Sequence, residues 1–71
     1  MIRLRIKEIL KEQNHTKYWL YKQMDMSYQN LSKLLNNETS SIHFKNLEIL
    51  SRLLNCSISE LFEITDDTEN D

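Results

Sequence analysis

The chain has 71 residues and a formal net charge of −2, with one cysteine and neither glycine nor proline. This length makes one small domain, near the lower limit for a self-sufficient core. The absence of glycine disfavours tight β-hairpins and glycine-rich phosphate loops. It favours helices joined by turns at Asn and Asp, which tolerate left-handed backbone. The single cysteine excludes an internal disulfide and a cysteine-cluster metal site.

Hydropathy and the first residues predict a cytoplasmic protein without a membrane partner. Charges interrupt residues 1–7 at every second position, which is not typical of a signal peptide. No apolar run approaches the roughly 18 residues of a transmembrane helix.

The charge is unevenly distributed along the chain. Residues 60–71 hold six acids and no base, whereas residues 1–59 carry nine bases and five acids, a net charge of +4. A mildly basic body therefore precedes an acidic end. We expect a domain over residues 1–64 and a disordered tail over 65–71, because the tail has nothing apolar to bury. The tail either only solvates the protein or competes with phosphate for the basic body.

Two helices are predicted in the first third of the chain. A first helix over about 2–13 follows from apolar residues at helical spacing, namely Ile2, Ile6, Ile9 and Leu10. Thr16 is a typical N-cap residue, so we expect a second helix over about 17–24.

A short turn leads from the second helix into a third. Asp25 and Met26 form this turn, and Ser27 caps a helix over about 28–36. The third helix has one apolar side that we expect to enter the core, made by Leu31, Leu34 and Leu35. Its other side is polar.

The rest of the domain is also predicted to be helical. A polar loop over 36–41 precedes a fourth helix over about 44–54. Ser57 caps a short fifth helix that carries Ile58, Leu61 and Phe62. The chain therefore reads as an all-α domain.

Three segments at matching separations, residues 16–20, 27–36 and 44–62, are similar to a known family. Together they give the pattern over residues 2–64 a resemblance to the Cro/C1-type (XRE family) helix-turn-helix domain. The resemblance implies a compact five-helix, phage-repressor-like (lambda repressor-like) fold. A short helix, turn and second helix can present a rigid polar face to the major groove of DNA.

At three positions where the family usually has a small residue, this chain has a larger one. Tyr21 stands where the family usually has Ala, so it must swing outward or push the two helices apart. Asp25 replaces the usual turn Gly, and it can adopt the left-handed conformation at modest cost. Asn37 replaces the Gly that often follows the third helix.

The resemblance places the start of the third helix against the base edges of DNA. Gln29 can pair bidentately with adenine, Lys33 can donate to guanine, and Tyr28 can contact phosphate or a thymine methyl group. The expected base contacts are Ser27, Tyr28, Gln29, Ser32 and Lys33.

The resemblance also implies contacts to the DNA backbone. The start of the second helix offers free amides and a positive dipole end to phosphate. The expected backbone contacts are Thr16, Lys17, Asn37, Thr39, Ser40 and His43. The loop after the third helix contains Glu38 and lacks Lys and Arg up to His43, which lowers the expected affinity.

Three aromatic residues crowd the second helix, and they cannot all face inward. Tyr18 and Trp19 either cover the first helix or, with Tyr21, form a protein-binding patch. We expect His15 to serve the turn before this helix.

An enzyme is not expected from this sequence. His15 and His43 lie in different turns, and Cys56 follows an apolar helix, which is typical of a small core residue. No cofactor, metal or small-molecule ligand is implied.

The sequence therefore predicts a bacterial or phage-type transcriptional regulator, a repressor, that binds double-stranded DNA. We expect a homodimer on a pseudo-palindromic site with half-sites roughly 34 Å apart. The alternative is a protein-interaction module on the same fold, such as an antitoxin or an inhibitor. The low cation count and the acidic end favour that alternative. A third possibility is an isolated DNA-binding unit that lacks a sensor domain.

Overall fold

The computed structural model describes residues 1–65, which form five helices and one two-stranded sheet. The elements follow in the order β1 (Ile2–Leu4), α1 (Ile6–Glu12), α2 (Lys17–Gln23), α3 (Tyr28–Leu35), α4 (Phe44–Leu54), α5 (Ile58–Leu61) and β2 (Phe62–Ile64). The predicted second, third and fourth helices are confirmed, with bounds that agree to within one residue.

All five helices contribute to one hydrophobic core. The side chains with no exposed surface are Ile6, Leu20, Leu31, Leu50, Leu54 and Leu61. Each comes from an apolar position of its helix, and α4 supplies two of them. Burying a side chain of this size contributes about 1.5–3 kcal/mol, so the core orients α2 and α3 relative to the rest of the chain.

The prediction of a helix from residue 2 is wrong for the first residues. Ile2–Leu4 is a strand that pairs antiparallel with Phe62–Ile64, with Arg3 opposite Glu63. The apolar residues at 2, 4 and 6 alternate with arginines, a period of two that also suits a strand. The pairing strand, residues 62–64, lies about 60 residues away in the sequence.

The fifth helix is shorter than the sequence predicts. It ends at Leu61, and Phe62, expected on the helix, begins β2 instead. The helix starts with a capping box, in which the Ser57 hydroxyl accepts from the Glu60 amide and the Glu60 carboxylate accepts from the Ser57 amide. The small sheet makes the domain mostly helical rather than purely all-α.

Asparagine supplies the left-handed conformations that glycine usually provides. The residues with positive φ are Asn14 (59°), Asn37 (60°) and Asn55 (52°). This confirms the expectation for a chain without glycine. Asp25, which could have taken this conformation, is not among them: α2 ends at Gln23, and the next residue, Met24, is extended with a buried side chain.

Thr65 lies at the open end of the sheet. Its amide donates to the Met1 carbonyl at 2.7 Å, and its carbonyl accepts from the Met1 amino group at 2.8 Å. The rest of the predicted acidic tail, residues 66–71, lies outside the described residues. None of the helices over residues 1–65 is long and apolar enough to cross a membrane.

Candidate nucleic-acid interface

Hydroxyl caps begin both helices of the predicted helix-turn-helix motif. The Thr16 hydroxyl accepts from the Trp19 amide at 3.0 Å, and the Ser27 hydroxyl accepts from the Asn30 amide at 3.1 Å. Each cap satisfies one of the amides that a helix start leaves without a backbone partner. Residues 24–27 connect the two helices, so the start of α3 is fixed by a cap and a short linker.

One side of α3 faces the core and the other faces solvent. Leu31, Leu34 and Leu35 are buried, as predicted. The exposed residues of the helix are Tyr28, Gln29, Asn30 and Lys33. Over residues 1–65, the side chains of Gln29 and Lys33 form no hydrogen bond or ion pair. Their polar groups are therefore available to a partner.

Lys17, at the start of α2, reaches across to α3. Its ammonium donates to the Ser32 hydroxyl at 2.8 Å and lies 4.5 Å from the centroid of the Tyr28 ring. Both contacts hold a positive charge beside the exposed side of α3. Two predicted base-contact residues, Tyr28 and Ser32, thus contact a predicted backbone-contact residue.

The aromatic residues of α2 are divided between three environments. Tyr21 is half-buried, and its ring meets the Tyr28 ring edge-to-face with centroids 5.1 Å apart. Trp19 stacks on His15 at 3.7 Å and packs against the core. Tyr18 is 59% exposed. Of the three neighbours, Tyr18 is thus the one that faces solvent, and His15 contacts the second helix rather than only a turn.

Lys7 of α1 extends the basic surface at the other end of α3. Its ammonium lies 3.4 Å from the side-chain oxygen of Asn36, the residue that ends α3. Nothing in the sequence pattern singles out Lys7 as a contact. The helical spacing could not show that α1 runs beside the end of α3.

Within the described chain, the cationic side chains that form no ion pair are lysines rather than arginines. All three arginines form ion pairs: Arg3 with Glu8 and Glu63, Arg5 with Glu12 and Glu63, and Arg52 with Glu48. No lysine among residues 1–65 lies within ion-pair distance of a carboxylate. Three of these lysines, Lys7, Lys17 and Lys33, lie on or beside α3.

The loop after α3 has one structural residue and several exposed ones. The Asn37 amide is half-buried and makes two hydrogen bonds to the backbone of Leu4 in β1. Thr39, Ser40 and His43 are exposed, and His43 precedes α4 without a side-chain cap. The side chain of Asn37 thus already has partners, whereas the other three predicted contacts of this loop face solvent.

The titratable groups of the described region do not form a second site. Burial raises the pKa of the Cys56 thiol, and this residue packs against the core, in line with the sequence interpretation. No group of three or more His, Cys, Asp or Glu residues within 1–65 could hold a metal ion.

Comparison with protein families gives a match over residues 5–67, to the model described as the Cro/C1-type HTH DNA-binding domain. The chain belongs to this family. The matched range covers all five helices and both helices of the motif. The predicted family is therefore confirmed, and the second helix of the Cro/C1-type motif in this chain is α3.

A solved structure supports the fold of this Cro/C1-type domain. The chain is similar to a Bacteroides fragilis protein described as a "putative DNA-binding protein", with 30% sequence identity and a TM-score of 0.78. The match covers 89% of this chain and 100% of the other. The search of curated proteins gave no match.

Tyr21 fits into the Cro/C1-type motif without its side chain becoming fully exposed to solvent. The ring is half-buried, packs beside the core and contacts Tyr28 on α3. The sequence indicated a large residue at a close approach, but it could not show that the first residue of α3 would be the ring's partner.

Proposed function

We propose that this Cro/C1-type domain is a sequence-specific regulator of transcription, acting as a repressor, and that α3 enters the major groove of double-stranded DNA. The exposed side of α3 carries the proposal, because Gln29 and Lys33 project from a helix whose other side is fixed in the core. An α-helix fits the width of the major groove. We place the regulator in the cytoplasm, with a phage-repressor-like domain over 1–64 and the acidic residues 65–71 as a tail.

Gln29 and Lys33 read the bases in this proposal. Both side chains are exposed and one turn apart on α3. A glutamine amide can pair with adenine N6 and N7, and a lysine ammonium can donate to guanine O6 and N7. The other three predicted base contacts, Ser27, Tyr28 and Ser32, border this pair. The Ser27 and Ser32 hydroxyls each accept one hydrogen bond from within the chain, which leaves each able to donate one and to accept another.

Contacts to phosphate surround the base-reading pair. Thr16 and Lys17 approach one strand from the start of α2, and Thr39, Ser40 and His43 approach the other from the loop. We leave out the Asn37 side chain, because it already bonds Leu4, and we add Lys7 at the end of α3. Lysines that neutralise phosphates release counterions, which favours binding at low salt.

The regulator acts as a homodimer through a surface on α4 and α5. Phe44 is 87% exposed and borders a shallow groove of about 560 Å³ that is lined mainly by apolar atoms, with Leu47 and Ile58 beside it. Glu48 and Arg52 are also part of the lining. Glu48 and Arg52 already pair with each other within one copy, so the homodimer rests on the apolar part of this surface, which a twofold axis would place against itself.

The dimer is tested by mass measurement on a surface variant. Phe44→Ser removes the most exposed apolar side chain of the groove, and we expect a monomer where the wild type is a dimer. Tyr18→Ser, which removes another exposed ring far along the chain, is the control and should leave the mass unchanged. A wild-type monomer at all concentrations, or a dimeric Phe44→Ser, contradicts this interface.

Selection of binding sites from random DNA tests the proposed function. The expected result is an enriched pseudo-palindrome with half-sites about 34 Å apart along the duplex. If no sequence is enriched although duplex is bound at low salt, the protein is a nonspecific binder and not a regulator of this kind. If no duplex is bound at low salt, the protein-interaction module becomes the better account.

A further inference from the structure

Tyr21 contacts the exposed side of α3 although it belongs to α2. Its ring meets the Tyr28 ring with an interplanar angle of 81° and centroids 5.1 Å apart. This edge-to-face arrangement is the preferred geometry of an aromatic pair, and a half-buried partner restricts the rotamers open to the exposed ring. Tyr28, at 45% exposure, is thus held by a neighbour that is packed against the core.

The Lys17 ammonium lies over the ring of Tyr28. The nitrogen lies 4.5 Å from the ring centroid, within the range of a cation–π contact. The same nitrogen donates to the Ser32 hydroxyl at 2.8 Å. Ser32 lies one turn after Tyr28 on α3, so the ring and the hydroxyl bind the ammonium from two positions on one helix side.

We propose that Tyr21 is a positioning residue for DNA binding, which acts through Tyr28 to hold the Lys17 ammonium in place for a phosphate of the duplex. The inference rests on the proposed function. Tyr21 does not itself contact DNA. It fixes Tyr28, Tyr28 and Ser32 fix Lys17, and Lys17 binds phosphate with the donors that remain.

Ordering the ammonium before binding raises the affinity for any sequence. A free lysine side chain loses rotamer entropy when it binds phosphate, whereas a side chain already held by two contacts loses less. The effect does not depend on the base sequence, because phosphates carry no sequence information. Tyr21 therefore sets the strength of binding, while Gln29 and Lys33 set its preference.

Tyr18 provides a matched control on the same helix. Its ring lies 6.1 Å from the Tyr21 ring and 5.7 Å from the Lys22 ammonium. It makes no contact to Lys17, Tyr28 or Ser32 within residues 1–65. Tyr18→Ala therefore removes a tyrosine of α2 without disturbing the Lys17 contacts.

The experiment measures affinity for a random-sequence duplex at low salt, on folded protein. Tyr21→Ala should weaken binding about 2- to 10-fold, the range of one aromatic pair. Tyr21→Phe, which keeps the ring, should bind the duplex like the wild type, and so should Tyr18→Ala. In the Lys17→Gln background, Tyr21→Ala should cause no further loss, because the residue that it positions has lost its charge.

A readout on the free protein separates this proposal from the proposed function. The Tyr28 ring should shift the nuclear magnetic resonance signals of the Lys17 methylene next to the ammonium, and Tyr21→Ala should reduce that shift. Unchanged binding or an unchanged Lys17 shift in folded Tyr21→Ala overturns the positioning role, as does an equal loss of affinity in both Lys17 backgrounds. A wild type that binds no duplex but shows the Lys17 shift overturns the proposed function, and the role of Tyr21 in DNA binding with it.

Discussion

The side-chain amide of Asn37 forms two hydrogen bonds with the backbone of Leu4, as a neighbouring strand would. Its oxygen accepts from the Leu4 amide at 2.6 Å, and its nitrogen donates to the Leu4 carbonyl at 3.1 Å. The backbone of Asn37 is left-handed, with φ of 60°. One residue therefore ends the turn after α3 and fixes β1 against it, which couples the small sheet to the side of the domain that carries the candidate interface.

Replacing Asn37 should destabilise the fold more than replacing the other left-handed asparagines. Asn37→Ala loses both hydrogen bonds and leaves the backbone of the buried Leu4 without partners. It also places at positive φ an alanine, which tolerates the left-handed conformation less well than asparagine. We expect a loss of about 2–4 kcal/mol in the free energy of unfolding. Urea unfolding measures it, provided that the slope with denaturant is unchanged.

Asn55→Gly is the control for this prediction. Asn55 has φ of 52° at the end of α4, and its exposed side chain makes no hydrogen bond within the described chain. Glycine is favoured at such a position, so the free energy of unfolding should change by less than about 1 kcal/mol. A loss at Asn55 equal to that at Asn37 would show that the Leu4 contacts contribute nothing.

Lys17 and Lys7 should affect the salt dependence of binding rather than its sequence preference. Lys17→Gln and Lys7→Gln each remove one proposed phosphate contact from every subunit. The slope of log affinity against log salt should therefore become shallower by about 0.9 per bound subunit for each variant. The slope is measured by titrating each variant with duplex at several salt concentrations.

Lys22→Gln serves as the matched loss of one positive charge in that series. Lys22 is on α2, and its ammonium lies 5.7 Å from the centroid of the Tyr18 ring. Its loss should leave the slope unchanged, because the charge lies outside the proposed contacts. Equal changes for Lys22 and the other two lysines would mean that only the net charge matters.

Gln29 and Lys33 should determine which bases are preferred. Gln29→Ala and Lys33→Ala remove donors and acceptors from the exposed side of α3 without disturbing its buried leucines. Each should cost about 1–3 kcal/mol on the preferred site and relax the preference at one position of each half-site. Repeating the site selection with each variant measures this. An unaltered preference in both variants would place the base contacts elsewhere.

Acid should weaken the cap of α5. The Glu60 carboxylate accepts from the Ser57 amide at 2.7 Å and from the Ser57 hydroxyl at 3.2 Å, and these bonds lower its pKa below the ordinary 4.5. The charged form is thus favoured by folding, so its stabilisation is complete above the ordinary pKa and is lost as the pH falls through the lowered value.

Glu60→Gln tests this dependence. The variant should be less stable than the wild type at neutral pH, and the two stabilities should converge as the pH falls below the ordinary pKa of 4.5 and through the lowered one. Thermal unfolding across that range provides the measurement. A constant difference at every pH would mean that the carboxylate charge does not contribute to the cap.

Local signals in the sequence predict most of the helical fold. Ser and Thr caps with regularly spaced leucines locate α2, α3 and α4, because these features act within one helix. The sheet was missed because residues 2–4 read equally well as helix or strand. The deciding partner is about 60 residues away, and a pairing at that separation leaves little trace in a local pattern.

The sequence likewise predicts part of the candidate site, namely the exposed residues of α3, but not the contacts between elements. Residue type and position on α3 suggest Gln29 and Lys33, and both are exposed. The contacts of Lys17, Lys7 and Asn37 join different elements, and the distances that define them depend on how the helices pack. Asp25 does not use the left-handed conformation that its residue type allows, because the extended Met24, whose side chain is buried, makes the turn after α2.

The salt dependence of wild-type binding to random duplex tests the central claim most directly. A protein that places α3 in the major groove and neutralises phosphates with Lys17 and its neighbours must lose affinity steeply as salt rises. The log–log slope should be about −0.9 for each phosphate contacted, hence near −2 or steeper for each bound subunit if Lys7 and Lys17 take part. A slope near zero, or no detectable binding at the lowest salt with folded protein, would contradict the account.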